Sequence, residues 1–403
     1  MDLRPTSDER RFRAEIRDFI ASALPETTRH KMLLGFEPSE QEWRDWQRKL
    51  NNMGWAVPHW PVEWGGHDWS AMQEYILADE LQQAPAPMPL AFNVSMVGPV
   101  IAKFGSAEQK RRFLPATANL DIWWCQGFSE PGAGSDLAAI RTVARRQGDH
   151  YIINGQKTWT SLAQHADWIF LLARTDPDAP KKQQGISFLL ADMKTPGISV
   201  RPIQLIDGSY EVNEVFFNDV KIPAENLVGE ENKGWDYAKF LLTNERSSIA
   251  RVGTIKQRIR RIKQLATKTQ ENGISLLETP WFQEKLAALE VELQALEITQ
   301  LRVVTKAEKH EEKGGSTPDA SLLKIKGSEL QQAVTALFMD VAGSHLLPFQ
   351  APLDASEFPT DEAEGPDWAA TAGPTYFNWR KVSIYGGANE IQRNIIAKTI
   401  LGF

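Results

Sequence analysis

The chain has little cysteine: one, Cys125, in 403 residues. A lone thiol cannot form an internal disulfide, which points to a reducing compartment, the cytoplasm. Histidine is sparse as well. The seven histidines include no His-x3-His pair and there is no Cys-x2-Cys, so the spacings that hold zinc are missing and no metal site is expected. No apolar run approaches the ~18 residues of a membrane-spanning helix. The N-terminal stretch MDLRPTSDERRFR lacks the apolar core of a signal peptide, so a soluble intracellular protein is expected. Positive charge is not in excess either: 45 basic against 52 acidic side chains give a net charge of −7. That balance excludes a generally basic nucleic-acid coat and gives no electrostatic reason to seek an anionic membrane. Familiar glycine motifs fail at specific positions. Gly132-Ala133-Gly134 has Leu137 where a Rossmann fingerprint needs its third glycine, Gly234 is followed by Trp235 and not by the P-loop lysine, and Gly127-Phe128-Ser129 lacks the second glycine of a nucleophile elbow.

What is present is an ordinary globular mixture, 42% hydrophobic and 24% charged, with length for two or three domains. Residues 1–122 carry helical periodicity, as in Phe12, Ile16, Phe19 and Ile20, interrupted by the Trp-, Pro- and Gly-rich stretch 54–66, which predicts an ordered loop. Its indoles, Trp55, Trp60 and Trp64, either pin the loop to the core or line a ligand site. Residues 123–232 change to short β-branched and aromatic runs at 123–128, 151–153, 168–173, 186–190, 198–203 and 212–217, separated by turn signals, which predicts a small barrel or sandwich. Residues 233–403 return to helix. Phe282, Leu286, Leu289, Leu293 and Leu296 mark one amphipathic helix, and Leu323, Leu330, Val334, Leu337 and Val341 the next. A polar stretch, 351–375, reads as a long loop of the kind that serves as a lid or interface element. The basic run Lys256, Arg258, Arg260, Arg261 and Lys263 reads most simply as a solvated helix face, with a nucleotide- or partner-binding patch as the alternative. The expected architecture is α+β: an N-terminal helical domain, a central β-barrel and a C-terminal helical bundle.

Two segments carry the chemistry. QGFSEPGAGSD, Gln126 to Asp136, concentrates glycines that let backbone amides approach a flat or phosphorylated ligand, with hydroxyls at Ser129 and Ser135. NGQKTWTS, Asn154 to Ser161, follows some twenty residues later. Together they resemble the flavin-binding signature of the acyl-CoA dehydrogenase family, and FGSAEQKRRFLP, DVKIPAENLVGEENKGW and IYGGANEIQRNIIAKTILG resemble further family segments in the same order. The resemblance implies an N-terminal helical domain, a β-barrel and a four-helix bundle. It implies FAD as cofactor and oxidation of an acyl-CoA thioester to the trans-2-enoyl-CoA, with electrons passed to an electron-transfer flavoprotein. It places Gln126, Phe128 and Ser129 on one side of the isoalloxazine and Trp159, Thr160 and Ser161 on the other. Ala388, Asn389 and Glu390 match a stretch near the ribityl and diphosphate, and Ser135 the position that meets the CoA portion. Arg246 and Gly387 fall at substrate-lining positions, and Lys398 joins Arg246 as a cation for the anionic CoA.

Dehydrogenation needs a carboxylate in an apolar pocket to take the α-proton. The commonest family pattern supplies it from Tyr-Glu-Gly, here Tyr385-Gly386-Gly387, so that base is missing. A second family arrangement puts a Glu just before an Arg on the first bundle helix. Glu245-Arg246 matches it, and at helical spacing Glu245 shares a face with Leu241, Leu242, Ile249 and Val252. Two segments that in the family reach the neighbouring subunit's FAD are replaced, by Thr269-Gln270-Glu271-Asn272-Gly273 and by Asp340-Val341-Ala342-Gly343-Ser344. This pattern is similar to the Glu-bearing subunit of heterotetrameric steroid side-chain and pimeloyl-CoA-type dehydrogenases, and implies a homologous second subunit, with a homo-oligomer as the alternative. A bulky, cyclic, branched or dicarboxylic acyl group is expected. A flavin monooxygenase on the same fold and a non-catalytic subunit are the competing readings.

Overall fold

A computed structural model describes residues 5–245, 250–309, 318–346 and 365–402, with the side chains of residues 243–245 and 307–309 outside that description. The helical N-terminal part comprises α1 (Ser7–Ala23), α2 (Glu26–Leu34), α3 (Glu40–Asn52), α4 (Ala71–Gln83), α5 (Gly98–Phe104) and α6 (Ala107–Ala118). Four of these starts follow from sequence chemistry. Thr6, Ser39, Ser70 and Ser106 each cap a helix with the side-chain oxygen and donate their own backbone N–H to the side chain of Glu9, Glu42, Gln73 or Gln109, which satisfies otherwise orphaned amides. A π-helical turn, Phe92–Val97, runs directly into α5. The tryptophan loop is pinned to the core: Trp55 and Trp60 are buried, and the Trp60 indole donates to the Val94 carbonyl at 2.7 Å.

The chain then forms one seven-stranded sheet: β1 (Trp124–Gly127), β2 (Val143–Gln147), β3 (His150–Ser161), β4 (Trp168–Arg174), β5 (Ile186–Asp192), β6 (Ile198–Ile203) and β7 (Val212–Pro223). Its order is β1-β4-β2-β3-β7-β6 with β5 on the far side of β4, an open curl in place of a closed barrel. Tyr151, Ile153, Ile169, Leu171, Leu189, Val215 and Val220 fill one face. Phe170 and Phe188 stack on the other, against the N-terminal helices and the first bundle helix. Strand β2 and the second half of β3 go beyond the sequence expectation. Arg145, Arg146 and Gln147 are exposed and hide the strand pattern of β2, while Asn154-Gly155, which reads as a turn, is a bulge inside β3.

The bundle contains α7 (Gly234–Glu245), α8 (Val252–Lys268), α9 (Pro280–Lys309), α10 (Pro318–Ala342), α11 (Ala372–Asn378) and α12 (Asn389–Ile396). Ile255, Ile259 and Ile262 of α8, Phe282, Leu286 and Leu293 of α9, and Leu330, Val334 and Leu337 of α10 form its core. Of the expected 351–375 loop, residues 351–364 lie outside the described residues, and the remainder is not a polar loop. Trp368, Ala369 and Ala372 pack on Phe338 and Leu346, and the Thr371 hydroxyl donates to the Leu34 carbonyl at 2.7 Å. Thr269 to Gly273 enters a short exposed hairpin, with Asn272 and Gly273 at positive φ as a two-residue hairpin turn requires.

Candidate functional site

A cavity of about 2380 Å³ opens between the curled sheet, the N-terminal helices and the bundle. Pockets for a single drug-sized ligand run to roughly 1,000 Å³, so this one has room for a large cofactor and a substrate together. From the sheet side Gln126, Ser129, Ser135, Trp159 and Ser161 line it, and from the bundle side Tyr385, Gly386, Gly387 and Ala388 face them. The two walls, residues 126–161 and 385–388, are far apart in the chain; the fold, not the local sequence, brings them together.

Each side chain is aimed by an identifiable local feature. Strand β3 pairs with β7 through the bulge at Asn154-Gly155 and shifts register again between Lys157 and Thr160. At that bulge Trp159 adopts φ 58°, a left-handed conformation uncommon for a bulky residue, and its ring stands 59% exposed toward the cavity. At the bulge the strand is cross-linked to the preceding segment: the Thr158 amide, which has left the β7 ladder, donates to the Ser129 carbonyl at 2.9 Å. Beneath it lies a buried ion pair. Lys157, fully enclosed, donates to Glu130 Oε1 at 2.7 Å and to the Phe128 carbonyl at 3.2 Å. Glu130 also accepts from the Arg141 amide at 2.6 Å and the Thr142 amide at 3.0 Å. Burial pulls the Lys157 ammonium down to about 8 against the raising effect of Glu130. For the carboxyl, burial is the largest single effect and raises it, but Lys157 and three hydrogen bonds outweigh it and hold Glu130 below the usual range. The pair therefore stands ionised at neutral pH and clamps the two glycine-rich segments to each other.

Gly127 ends β1 where the chain must turn. A Cβ there would lie 2.8 Å from Ile169 Cδ1, so only glycine lets the strand lie this close to β4. The turn sends Phe128 away from the cavity, edge-on to Phe170 and Phe188. Thr160, one residue past Trp159, points to the opposite face of β3, where its hydroxyl is buried without a partner. Asn389 turns inward to α10 and is held by Lys324 at 2.8 Å and Ser328 at 3.0 Å, while Glu390 and Lys398 are exposed on the outer surface. The structure thus gathers Gln126, Ser129, Ser135, Trp159, Ser161, Gly387 and Ala388, and does not bring the side chains of Phe128, Thr160, Asn389, Glu390 or Lys398 to the cavity. Glu245 closes α7, but its side chain and all of Arg246 lie outside the described residues. The helical-face argument for Glu245 does not run on to Val252. Arg251 takes φ 48° and starts a separate helix, because a residue in the left-handed region cannot continue an α-helix.

The basic run on α8 is not one solvated face. Lys256 pairs with Asp79 and Glu297, Lys263 with Glu290, and Arg260 with Gln83. Arg258 and Arg261 turn the other way and line the cavity with Arg251. The Arg258 guanidinium lies over the Trp379 ring, 3.7 Å from its centre, and Arg251 is 5.7 Å from the same ring. Burial and the neighbouring Arg251 push Arg258 down to about 10, still cationic at neutral pH. Glu37 faces them from the cavity rim, itself solvent-accessible; desolvation is the largest cause raising its carboxyl, with Glu211 adding to it and Arg258, Arg251 and Lys381 opposing. Sequence reasoning missed Glu37, Arg251 and Trp379 altogether. The available signal was the 258/261 spacing, which places two arginines on one helical face, with Arg251 at the cap that precedes it.

The residues present fit an isoalloxazine and a nucleotide tail. An outward-facing indole on a strained bulge offers a flat wall. Among the described residues, the side chains of Gln126, Ser129, Ser135 and Ser161 hydrogen-bond to no other residue and are available to a ligand.

Comparison with known proteins accounts for nearly the whole chain. Residues 6–121, 125–220 and 232–401 match the N-terminal, middle and C-terminal domains of acyl-CoA dehydrogenase. The acyl-CoA dehydrogenase FadE26 of Mycobacterium tuberculosis is 33% identical over 100% of this chain and 98% of its own length. Among solved structures, the ChsE4-ChsE5 complex from M. tuberculosis contains a chain with a TM-score of 0.83 and 32% identity, covering 100% of this chain and 99% of that one. The Tcur3481-Tcur3483 steroid acyl-CoA dehydrogenase has the same TM-score, identity and coverage.

Proposed function

We propose, from the premise that the chain belongs to the acyl-CoA dehydrogenase family, that it oxidises a bulky acyl-CoA thioester to the trans-2-enoyl-CoA. Membership makes it an FAD-dependent oxidoreductase. The observation that carries the reading is the cavity itself: the flavin-signature side chains Gln126, Ser129, Trp159 and Ser161 on one wall, and Gly386-Gly387 on the other.

In this reading FAD, when bound, accepts the β-hydride. The residues of the chain do the rest. Trp159, fixed on its bulge, provides a flat contact on one side of the ring system, and Gln126, Ser129 and Ser161 orient its polar edge. Ser135 meets the CoA portion. Glu245 takes the α-proton on a carboxylate oxygen, standing in for the glutamate that Gly386 lacks. Gly386 leaves open the volume that this glutamate would fill, which suits a cyclic or branched acyl group. Electrons then leave to an electron-transfer flavoprotein.

The departures at 269–273 and 340–344 support a heterotetramer in which a homologous chain completes the FAD sites. That the ChsE4-ChsE5 and Tcur3481-Tcur3483 structures each pair two differently named chains agrees with this. A flavin monooxygenase has no use for the proton-abstracting Glu245. The test is anaerobic bleaching of bound flavin by a panel of acyl-CoAs, with the chain alone and with its homologous partner. Wild type bleaches; Glu245→Gln binds FAD and thioester but does not bleach. Bleaching by the Gln variant would remove Glu245 from the reaction. Absence of bleaching in the wild-type complex, with FAD in place, would favour a non-catalytic subunit.

A further inference from the structure

The arginines of α8 are the part of the cavity that flavin binding and proton abstraction leave unused. Arg251 at the N-cap of α8, and Arg258 and Arg261 one turn apart within it, all line the cavity. Among the described residues none of the three forms an ion pair, and Arg258 Nη1 is buried with no hydrogen-bond partner. A buried donor of a cation left unmade is costly, which makes it a marker for a ligand group. The remaining charges nearby are accounted for. Lys381 is ion-paired with Glu211, and Asn378 donates to both Asp207 and Glu211. Of the carboxylates that line the cavity, Glu37 is the one whose charge couples to Arg251 and Arg258, and it forms no ion pair among the described residues. Its carboxyl is raised by desolvation and by Glu211, which lessens its opposition to an incoming anion.

Location decides which anion this wall receives. Arg251 and Arg258 both stand over the Trp379 ring, and Arg258 couples to Tyr385, so they lie on the bundle wall of the cavity within an acyl chain's reach of Gly386-Gly387, where the thioester reacts. Val334 and Phe338 of α10, which packs on α8, line the cavity too and suit hydrocarbon, not a hydrated diphosphate. We propose that Arg251, Arg258 and Arg261 form a recognition site for a carboxylate at the far end of the acyl group, so that the substrate is the mono-CoA thioester of a dicarboxylic acid. Trp379 keeps the Arg258 guanidinium flat, ready to present its fork to both carboxylate oxygens.

This rests on the acyl-CoA dehydrogenase reading, and the test separates the two. The FAD-loaded enzyme, with its partner if one is required, is assayed on mono-CoA thioesters of dicarboxylic acids from adipic to sebacic and on their ω-methyl esters. Wild type prefers the free acids. Arg258→Met lowers kcat/KM for the acids by about 10–100-fold, mostly through KM, and leaves the methyl esters unchanged. Arg258→Lys recovers part of the loss, and Arg251→Met behaves as Arg258→Met. FAD content and the unfolding midpoint show that each variant is folded. Equal loss on acids and esters, or no wild-type preference, overturns the inference while dehydrogenation stands. If nothing bleaches the flavin, binding is read from the perturbation of flavin absorbance. An Arg258-dependent preference for the free acids there supports the carboxylate site and counts against the dehydrogenase reading; no preference there overturns the carboxylate site as well.

Discussion

Lys157→Met tests whether the buried pair beneath the cavity is what holds the two flavin segments together. The substitution keeps the hydrocarbon stem and removes only the ammonium. Glu130 is then left 8% exposed, with the Arg141 and Thr142 amides as its remaining donors. Breaking a buried pair from one side costs about 3–5 kcal/mol, and the two surviving backbone bonds place this case near the lower end, at about 3. The Phe128 carbonyl loses its donor in the same step, so the turn carrying Ser129 is held to β3 by the Thr158 amide to Ser129 carbonyl bond with no side-chain support. Two measurements should move together: urea unfolding shifts by about 3 kcal/mol, and the FAD-to-protein ratio after gel filtration falls well below that of the wild type. The double variant Lys157→Met/Glu130→Gln should recover part of the stability, because no unpaired charge remains buried. A single variant that unfolds within about 1 kcal/mol of wild type and keeps its FAD would refute the clamp.

Two further outcomes follow from local chemistry. Glu42 is pulled down to about 2: burial alone would raise it, but the Ser39 amide and hydroxyl, Lys31 and Thr28 all favour its carboxylate. A depressed carboxyl stabilises the folded state fully above its unfolded pKa, near 4.3, and the contribution is lost as pH falls toward 2. Glu42→Gln should therefore cost stability at pH 7 and flatten the acid limb of a stability–pH profile; an acid limb identical to wild type would contradict the assignment. Gly155→Ala should open the β3 bulge, since its φ of 151° is paired with a Cβ position 2.5 Å from Thr142 Oγ1. A loss of about 1–3 kcal/mol is expected, with weakened FAD retention, and an unchanged unfolding midpoint would count against it.

How far the sequence carried the reading depended on whether a signal was local. The strands at 168–174, 186–192 and 198–203 announce themselves because both faces, or one complete face, are apolar. Strand β2 does not, because its outward Arg145 and Arg146 obscure the alternation, and its place is secured by pairing with β3 and not by its own composition. The site divides in the same way. Motif resemblance names consecutive residues, but a strand points alternate side chains to opposite faces. Trp159 and Ser161 can therefore both reach the cavity only if Thr160 does not. Gln126 and Phe128 have the same parity and would share a face on a straight strand, yet they part because β1 ends at Gly127, and nothing within the segment signals that Ile169 stands 2.8 Å from where a Cβ would be. The arginines of α8 are the converse case. Five basic residues in eight positions read as one solvated surface, but α8 has α4 and α9 on one side and the cavity on another. Asp79, Glu297 and Glu290 neutralise the members that face those helices. Arg258 and Arg261 turn to the cavity, where no carboxylate of the described residues pairs with them. Charge counting along the chain could not separate the two groups, since their difference lies in which distant element supplies the counter-charge. It is for the same reason that an anionic chain, with net charge −7, can hold a concentrated positive wall inside it.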